Sequence, residues 1–237
     1  MTDTLHRILP QVQKPARYVG GEYNQIVKDK RDVDVRVAFC FPDTYEIGMS
    51  NIGMRILYGL MNELPGVWCE RVFAPWGDME EKMREHAIPL YALESHDPVR
   101  AFDLIAFTIG YEMSYTNILN MLDLSGVPLL AHERKELENV VFAGGVCAVN
   151  PEPLADFIDF FSFGEGEEIT KEILACYRQA KKDGCSKEEF LLRVSRIDGV
   201  YVPSFYEHSY NPDGMLAAIT PKNGAPAKVR KRIVQDM

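Results

Sequence analysis

Short apolar, β-rich runs recur along the chain, each closed by Gly, Pro, Asn or Asp and followed by a segment with helical spacing. That alternation restricts the fold more than any other feature, because strands separated by helices form a mainly parallel sheet with a helix laid over each crossover. The first run, Val33 to Phe41, begins by alternating and ends almost continuously apolar, as a central strand does. Val67 to Phe73, Ile88 to Ser95, Phe102 to Gly110, Asn139 to Gly145 and Phe157 to Phe163 are the other strand candidates, and the parallel sheet is expected to end with the last of them. Helical spacing follows over 52–66, with Ile52, Ile56, Leu57 and Leu60 on one stripe and Pro65-Gly66 as the stop. A short polar helix is expected over 77–86. Further helices are expected over 111–126, with Ile118, Met121 and Leu122 inward and Gly126 at the end, and over 164–184, with Ile169, Ile173, Leu174 and Tyr177 inward. The fold class predicted is a Rossmann-like, doubly wound α/β domain at 31–185. An N-terminal extension at 1–30 precedes it. A C-terminal extension and linker at 186–237 follows, with one short helix and a hairpin-like stretch.

At 237 residues, 46% hydrophobic and 26% charged, the chain can bury the core of one large α/β domain. Its apolar runs fall short of the ~20 residues that span a bilayer, and the N-terminus lacks the basic-then-apolar order of a signal peptide, so a cytoplasmic, non-membrane protein is expected. A formal charge of −9 opposes contact with nucleic-acid phosphates or anionic lipid, so nucleic acid is not expected as a direct ligand of this segment. Lys228, Arg230, Lys231 and Arg232 read as a solvated basic tail with no ligand. The five cysteines are widely spaced, without CxxC or CxxxCxxC, so neither a zinc site nor a cysteine-held iron–sulfur site is written locally and no disulfide is predicted. Cys40, Cys147 and Cys176 read as small buried apolar groups.

In an open parallel sheet, ligands bind at the carboxyl ends of the strands, where strand order reverses. The loops to inspect are therefore 42–51, 109–117, 143–153 and 164–168. The first contains Pro42, Thr44, Tyr45, Glu46, Ser50 and Asn51 around Gly48, although Ser50 or Asn51 suits a helix N-cap equally well. The pair Gly144-Gly145 lets the chain turn sharply or lets a bulky ligand approach closely. Gly164-Glu165-Gly166-Glu167-Glu168 crowds carboxylates at a helix N-terminus, which excludes a nucleotide pyrophosphate there. Those carboxylates suit either helix capping or hydrogen bonds from an amide-rich ligand. No Ser-His-Asp set and no HExxH motif is present, so no catalytic or metal-binding residue is assigned.

Taken together, PDTYEIGMSNIG, FAGGVCAVNPEPLADFIDFFSFGEGEE and the terminal KVRKRIVQDM resemble the N-terminal part of B12-binding-domain radical S-adenosylmethionine (SAM) proteins. The resemblance covers residues 15–237 and is to an uncharacterised group with a cobalamin-binding-domain type of fold before its radical barrel. It implies that Pro42, Thr44, Tyr45, Gly48, Ser50, Asn51, Gly110, Tyr111, Ser114, Gly144, Gly145, Gly164, Glu165 and Gly166 line a corrin face and a nucleotide-tail cleft.

Two departures bear on chemistry. The DxHxxG signature is absent, so any cobalamin would be base-off without a histidine ligand. The CxxxCxxC that holds the 4Fe–4S cluster is absent too, so the cluster and S-adenosylmethionine would come only through a missing domain, a radical SAM barrel in cis or in trans, in a truncated chain or a split protein. The leading expectation is a module that positions cobalamin or substrate for that barrel. The alternative is a degenerate docking or interaction domain that binds no cobalamin. A flavodoxin-like or sugar-nucleotide enzyme would require a carboxylate-free phosphate loop, and none is written.

Overall fold

Stretches rich in Val, Ile, Phe and Ala, broken by charges only at Arg36, Glu70 and Arg71, form a sheet whose central strands are buried on both faces. The computed structural model describes residues 2–234 and places Val35–Phe41 (β1) in parallel register with Val67–Phe73 (β2), Val35 facing Val67 and Phe41 facing Phe73. On its other side β1 pairs in parallel with Leu104–Thr108 (β3), which pairs with Val140–Gly144 (β4), which in turn pairs with Phe160–Ser162 (β5). Val200–Tyr201 (β6) closes that edge antiparallel to β5, giving the order β2-β1-β3-β4-β5-β6. The Rossmann-like α/β architecture is therefore present, with one antiparallel edge strand added beyond the expected end of the parallel sheet.

Alternate strand residues feed two separate cores, as a pleat requires. On one face, Ala38, Cys40, Ile105, Phe107, Val141 and Phe161 pack beneath Gly77–Glu85 and Tyr115–Ser125, joined by the N-terminal helix Thr2–Ile8. On the other, Val37, Phe39, Ala106, Phe142 and Phe160 pack beneath Ile52–Glu63, Gly166–Asp183 and Lys187–Val194. In chain order the helices are α1 (Thr2–Ile8), α2 (Tyr45–Ser50), α3 (Ile52–Glu63), α4 (Gly77–Glu85), α5 (Tyr115–Ser125), α6 (Gly166–Asp183) and α7 (Lys187–Val194). Phe160 stacks on Phe142 at 4.9 Å and meets the edge of Phe190, which Tyr177 meets in turn at 5.3 Å. Among the described residues no helix is long and apolar enough to cross a membrane.

Four expectations are corrected. Residues 88–95 are buried like a strand but form none. Leu90 N–H donates to Leu124, Ala92 to Asp97 and Leu93 to Arg71, so the hydrogen bonds scatter instead of building a ladder, leaving only an isolated bridge from Tyr91 to Pro98. Helix α3 turns Met54, Tyr58 and Met61 inward, while Ile52 and Ile56, read as part of its apolar stripe, face solvent. Cys147 and Cys176 are only half-buried. Arg232 is no solvated tail residue, because its guanidinium binds Glu168 and Glu172 of α6. The last three residues of the terminal KVRKRIVQDM, 235–237, lie outside the described residues.

Both flanking segments are tied to the sheet. In the N-terminal segment, Leu5, Ile8, Leu9, Val12 and Tyr18 enter the first core, and the Lys28 ammonium donates to the carbonyls of Asn62 and Val67. In the C-terminal segment, Tyr206–Tyr210 (β7) and Leu216–Pro221 (β8) form a two-stranded antiparallel hairpin apart from the main sheet.

The ribbon at 88–98 is fastened to β2 by the fully buried Glu94 carboxylate, which accepts from Arg71 Nε and Arg71 N–H, both at 2.7 Å. Removing one partner of a buried pair leaves the other charge uncompensated. Glu94→Ala is expected to lower unfolding free energy by about 3–5 kcal/mol in urea titration, and a loss under about 1 kcal/mol would show that this pair is solvated.

Candidate functional site

The connection from β1 to β2 lies over one face of the sheet and that from β2 to β3 over the other, so strand order reverses between β1 and β3. The carboxyl ends of those two strands cannot share a covering helix, and this is the place where an open parallel sheet offers a crevice. Its walls are the loops 42–51 and 109–114.

Two polar side chains tie the walls together. The Tyr111 hydroxyl donates to Asp43 Oδ2 at 2.5 Å, and the Asn117 side-chain amide donates to the Pro42 carbonyl at 2.9 Å. Asp43 Oδ1 accepts from Thr44 N–H at 2.6 Å, which holds Thr44 at the turn into α2. The hydrogen bond to Asp43, followed by partial burial and the carboxylate charge, raises the Tyr111 phenol above its ordinary value, so it stays a neutral donor. Ser114 is buried and its hydroxyl donates to the Tyr111 carbonyl at 2.7 Å, shaping the turn into α5.

Several residues singled out from the sequence serve packing here. Asn51 caps α3 by accepting from Met54 N–H at 2.9 Å, and the Ser50 hydroxyl donates to Ile47 O. Tyr45 donates to Glu22 at 2.5 Å, and burial followed by that carboxylate pushes its phenol up to about 12. Gly48 lies under aromatic rings, where a Cβ would sit 2.2 Å from Phe73.

The later glycines are filled from within as well. A Cβ on Gly144 would meet Ser162 Oγ at 2.7 Å, and on Gly145, at φ +106°, the Ile109 carbonyl at 2.6 Å. Gly164 stands against the backbone of Arg232, whose N–H donates to Phe163 O while its carbonyl accepts from Glu165 N–H at 3.1 Å. The Glu165 carboxylate accepts from Val234 N–H. Gly166 packs on Leu57. Of the glycines proposed to meet a ligand, Gly110 alone faces open space.

The structure thus gathers Pro42, Thr44, Gly110, Tyr111 and Ser114 at the crevice, with Gly145 behind it. Gly164 and Glu165 lie two strands away, against Arg232 and Val234, with Gly166 beside them on Leu57.

Large exposed apolar side chains surround the crevice, among exposed polar ones such as Glu46, Ser50, Glu112 and Asn150. Ile47 and Ile52 from the first wall, Met113 from the second, and Val146 and Val149 after β4 are all exposed, Met113 at 84%. The half-buried Cys147 lies among them with its thiol donating to Gly110 O, and burial, then the nearby Glu112, raises its pKa. Sequence periodicity missed Met113, Val146 and Val149 because isolated apolar residues in loops carry no period. Asp43 and Asn117 were missed because their roles depend on cross-loop hydrogen bonds.

A cavity of about 830 Å³ lies elsewhere, at the amino end of the sheet between α7 and the β7–β8 hairpin. Its buried charges are already matched. Asp159 pairs with Arg134 at 3.2 Å and Lys187 at 2.6 Å, and Glu152 accepts from the Tyr201 hydroxyl at 2.6 Å while facing His208. This network anchors the hairpin, and the crevice is the better candidate for external contact.

Comparison with known proteins gives two findings. Residues 53–203 match a family described as radical SAM proteins, N-terminal. An uncharacterised protein of Methanocaldococcus jannaschii is 29% identical over 143 residues, covering 58% of this chain and 26% of that protein. The chain therefore spans about a quarter of the length of the curated relative that it matches.

The filled and open glycines make a paired prediction. Gly145→Ala forces a Cβ onto Ile109 at positive φ and is expected to destabilise the chain by roughly 1–3 kcal/mol, whereas Gly110→Ala should stay within about 0.5 kcal/mol. Equal melting temperatures for the two variants would contradict this packing.

Proposed function

This chain belongs to the family of radical SAM protein N-terminal domains, and from that premise we propose that it works by docking. Its carboxyl-end sheet face packs against the cluster-bearing domain of a radical SAM protein and closes one side of that domain's active site. The observation that carries this reading is the exposed apolar rim of Ile47, Ile52, Met113, Val146 and Val149 around a polar crevice. An apolar rim at the carboxyl edge of the sheet fits coverage by another protein surface, since burial of apolar area is the main drive to association.

In this reading the chain supplies shape and a few polar contacts. Tyr111, held by Asp43, presents its hydroxyl oxygen toward the covered space, and Asn117 keeps the two walls in register. Water is excluded where the rim is buried, which strengthens every polar interaction inside. The 4Fe–4S cluster and S-adenosylmethionine belong to the partner domain, in cis or in trans, because this chain has no CxxxCxxC to hold a cluster.

Cobalamin would supply methyl-transfer or rearrangement chemistry through cobalt, but the glycines that the resemblance assigns to a corrin and its nucleotide tail do not fit one. Backbone or side-chain atoms of this chain already occupy the space beside Gly144, Gly145, Gly164 and Gly166. The docking reading accordingly assigns no step to cobalt.

The test is to measure association between the chain and the cluster-bearing domain of the same radical SAM protein by calorimetry. Met113→Asp combined with Val149→Asp is expected to weaken binding at least about tenfold, or about 1.4 kcal/mol, without moving the melting temperature of the chain. Unchanged affinity would overturn docking through this face. Corrin absorbance retained after desalting from hydroxocobalamin, and lost in Val146→Trp, would restore a cobalamin-binding role.

A further inference from the structure

The β7–β8 hairpin forms one wall of the cavity at the amino end of the sheet, contributing Tyr206 and His208 to its lining. Two strands alone are only marginally stable in water, so the contacts at the hairpin's base decide how firmly that wall is held. Lys222 N–H donates to Phe205 O at 2.7 Å and the Tyr206 hydroxyl donates to Pro226 O at 2.8 Å, both within the C-terminal segment itself. Among the described residues, the one side-chain polar contact from β7 or β8 to the α/β core is that of His208, whose Nε2 lies 3.2 Å from Glu152 Oε2.

Glu152 is fixed from its other side. Its Oε1 accepts from the Tyr201 hydroxyl of β6 at 2.6 Å, and burial, followed by that carboxylate, keeps the Tyr201 phenol well above its ordinary value and so a donor. The carboxylate cannot turn away without giving up this bond, and its second oxygen is held beside His208. The buried Nε2 atom has no well-directed hydrogen bond there. A neutral ring therefore gains little from Glu152 at this geometry, whereas an imidazolium pairs with the carboxylate as an ion.

The other charged groups around the cavity do not compete for His208. Asp159 is taken by Arg134 and Lys187. His132, Lys135, Asp156, Glu188 and Lys222 line the cavity with exposed side chains that solvent screens. Glu207, next to His208 along β7, points to the opposite face of the hairpin.

We propose that the Glu152–His208 pair is a proton-operated latch, which draws the hairpin onto the core and closes the cavity when His208 is protonated and frees the hairpin when it is not. The contact strengthens as pH falls through the range in which histidine titrates and weakens as pH rises through it. Because the pair is partly exposed, its loss raises the frequency of hairpin opening by up to about fivefold. The latch stands independently of the docking role.

The experiment is amide hydrogen–deuterium exchange of the whole chain between about pH 5 and about pH 8, corrected for the intrinsic pH dependence of exchange. Protection of the β7 and β8 amides, relative to those of β3 and β4, is expected to fall by up to about fivefold as pH rises. His208→Gln and Glu152→Gln should each hold the hairpin at the parent's high-pH protection throughout, while His132→Gln, which removes the other histidine of the cavity, should keep the parent's pH dependence. Hairpin protection in the parent that does not change with pH overturns the latch. So does a pH dependence that survives in His208→Gln or disappears in His132→Gln.

Discussion

The double burial of β1 governs the rest of this structure. Its residues point alternately into two cores and its two edges are both taken, by β2 and by β3. The chain must therefore leave β1 in one direction and return past it in the other, covering opposite faces as it goes. The crevice at the carboxyl ends of β1 and β3 is a geometric consequence of that path. So is the contrast between its polar floor, tied by Asp43 and Tyr111, and its apolar rim.

Close packing determines what the crevice can accept. Glycines that could bring a backbone near a ligand instead bring it near the chain itself, with Gly48 under Phe73, Gly145 against Ile109 and Gly164 against Arg232. The carboxylates at the start of α6 follow the same logic. They meet Arg232 and Val234 from the chain's own terminal segment, which neutralises part of their charge and seats that segment along the carboxyl end of β5. What stays open is the outer surface, where the exposed Ile47, Met113, Val146 and Val149 stand among exposed polar residues such as Glu46, Glu112 and Asn150.

The strands were legible in the sequence where burial is two-sided, because a continuous apolar run such as Val140–Gly144 has few alternatives; in Val67–Phe73 the charged Glu70 and Arg71 are buried as well, paired with Arg36 and Glu94. Residues 88–95 carry the same apolar content, yet their hydrogen bonds are divided among partners that only the tertiary fold supplies. The stripe of α3 misled because Ile52 and Ile56 face solvent although apolar, while the inward face includes the partly polar Tyr58 and the amide of Asn62. The site loops were legible from strand order alone. The packing roles of Gly48, Asn51 and Gly164 were not, since each depends on a neighbour distant in sequence.

The account stands on the carboxyl-end face being the covered one. Hydrogen–deuterium exchange of the chain alone, compared with the chain in complex with or joined to its cluster-bearing domain, reads this directly. Slowed exchange is predicted in 44–56, 109–117 and 145–150, with no change in the β7–β8 hairpin. Protection confined to that hairpin and the amino-end cavity, with the crevice loops unchanged, would contradict it.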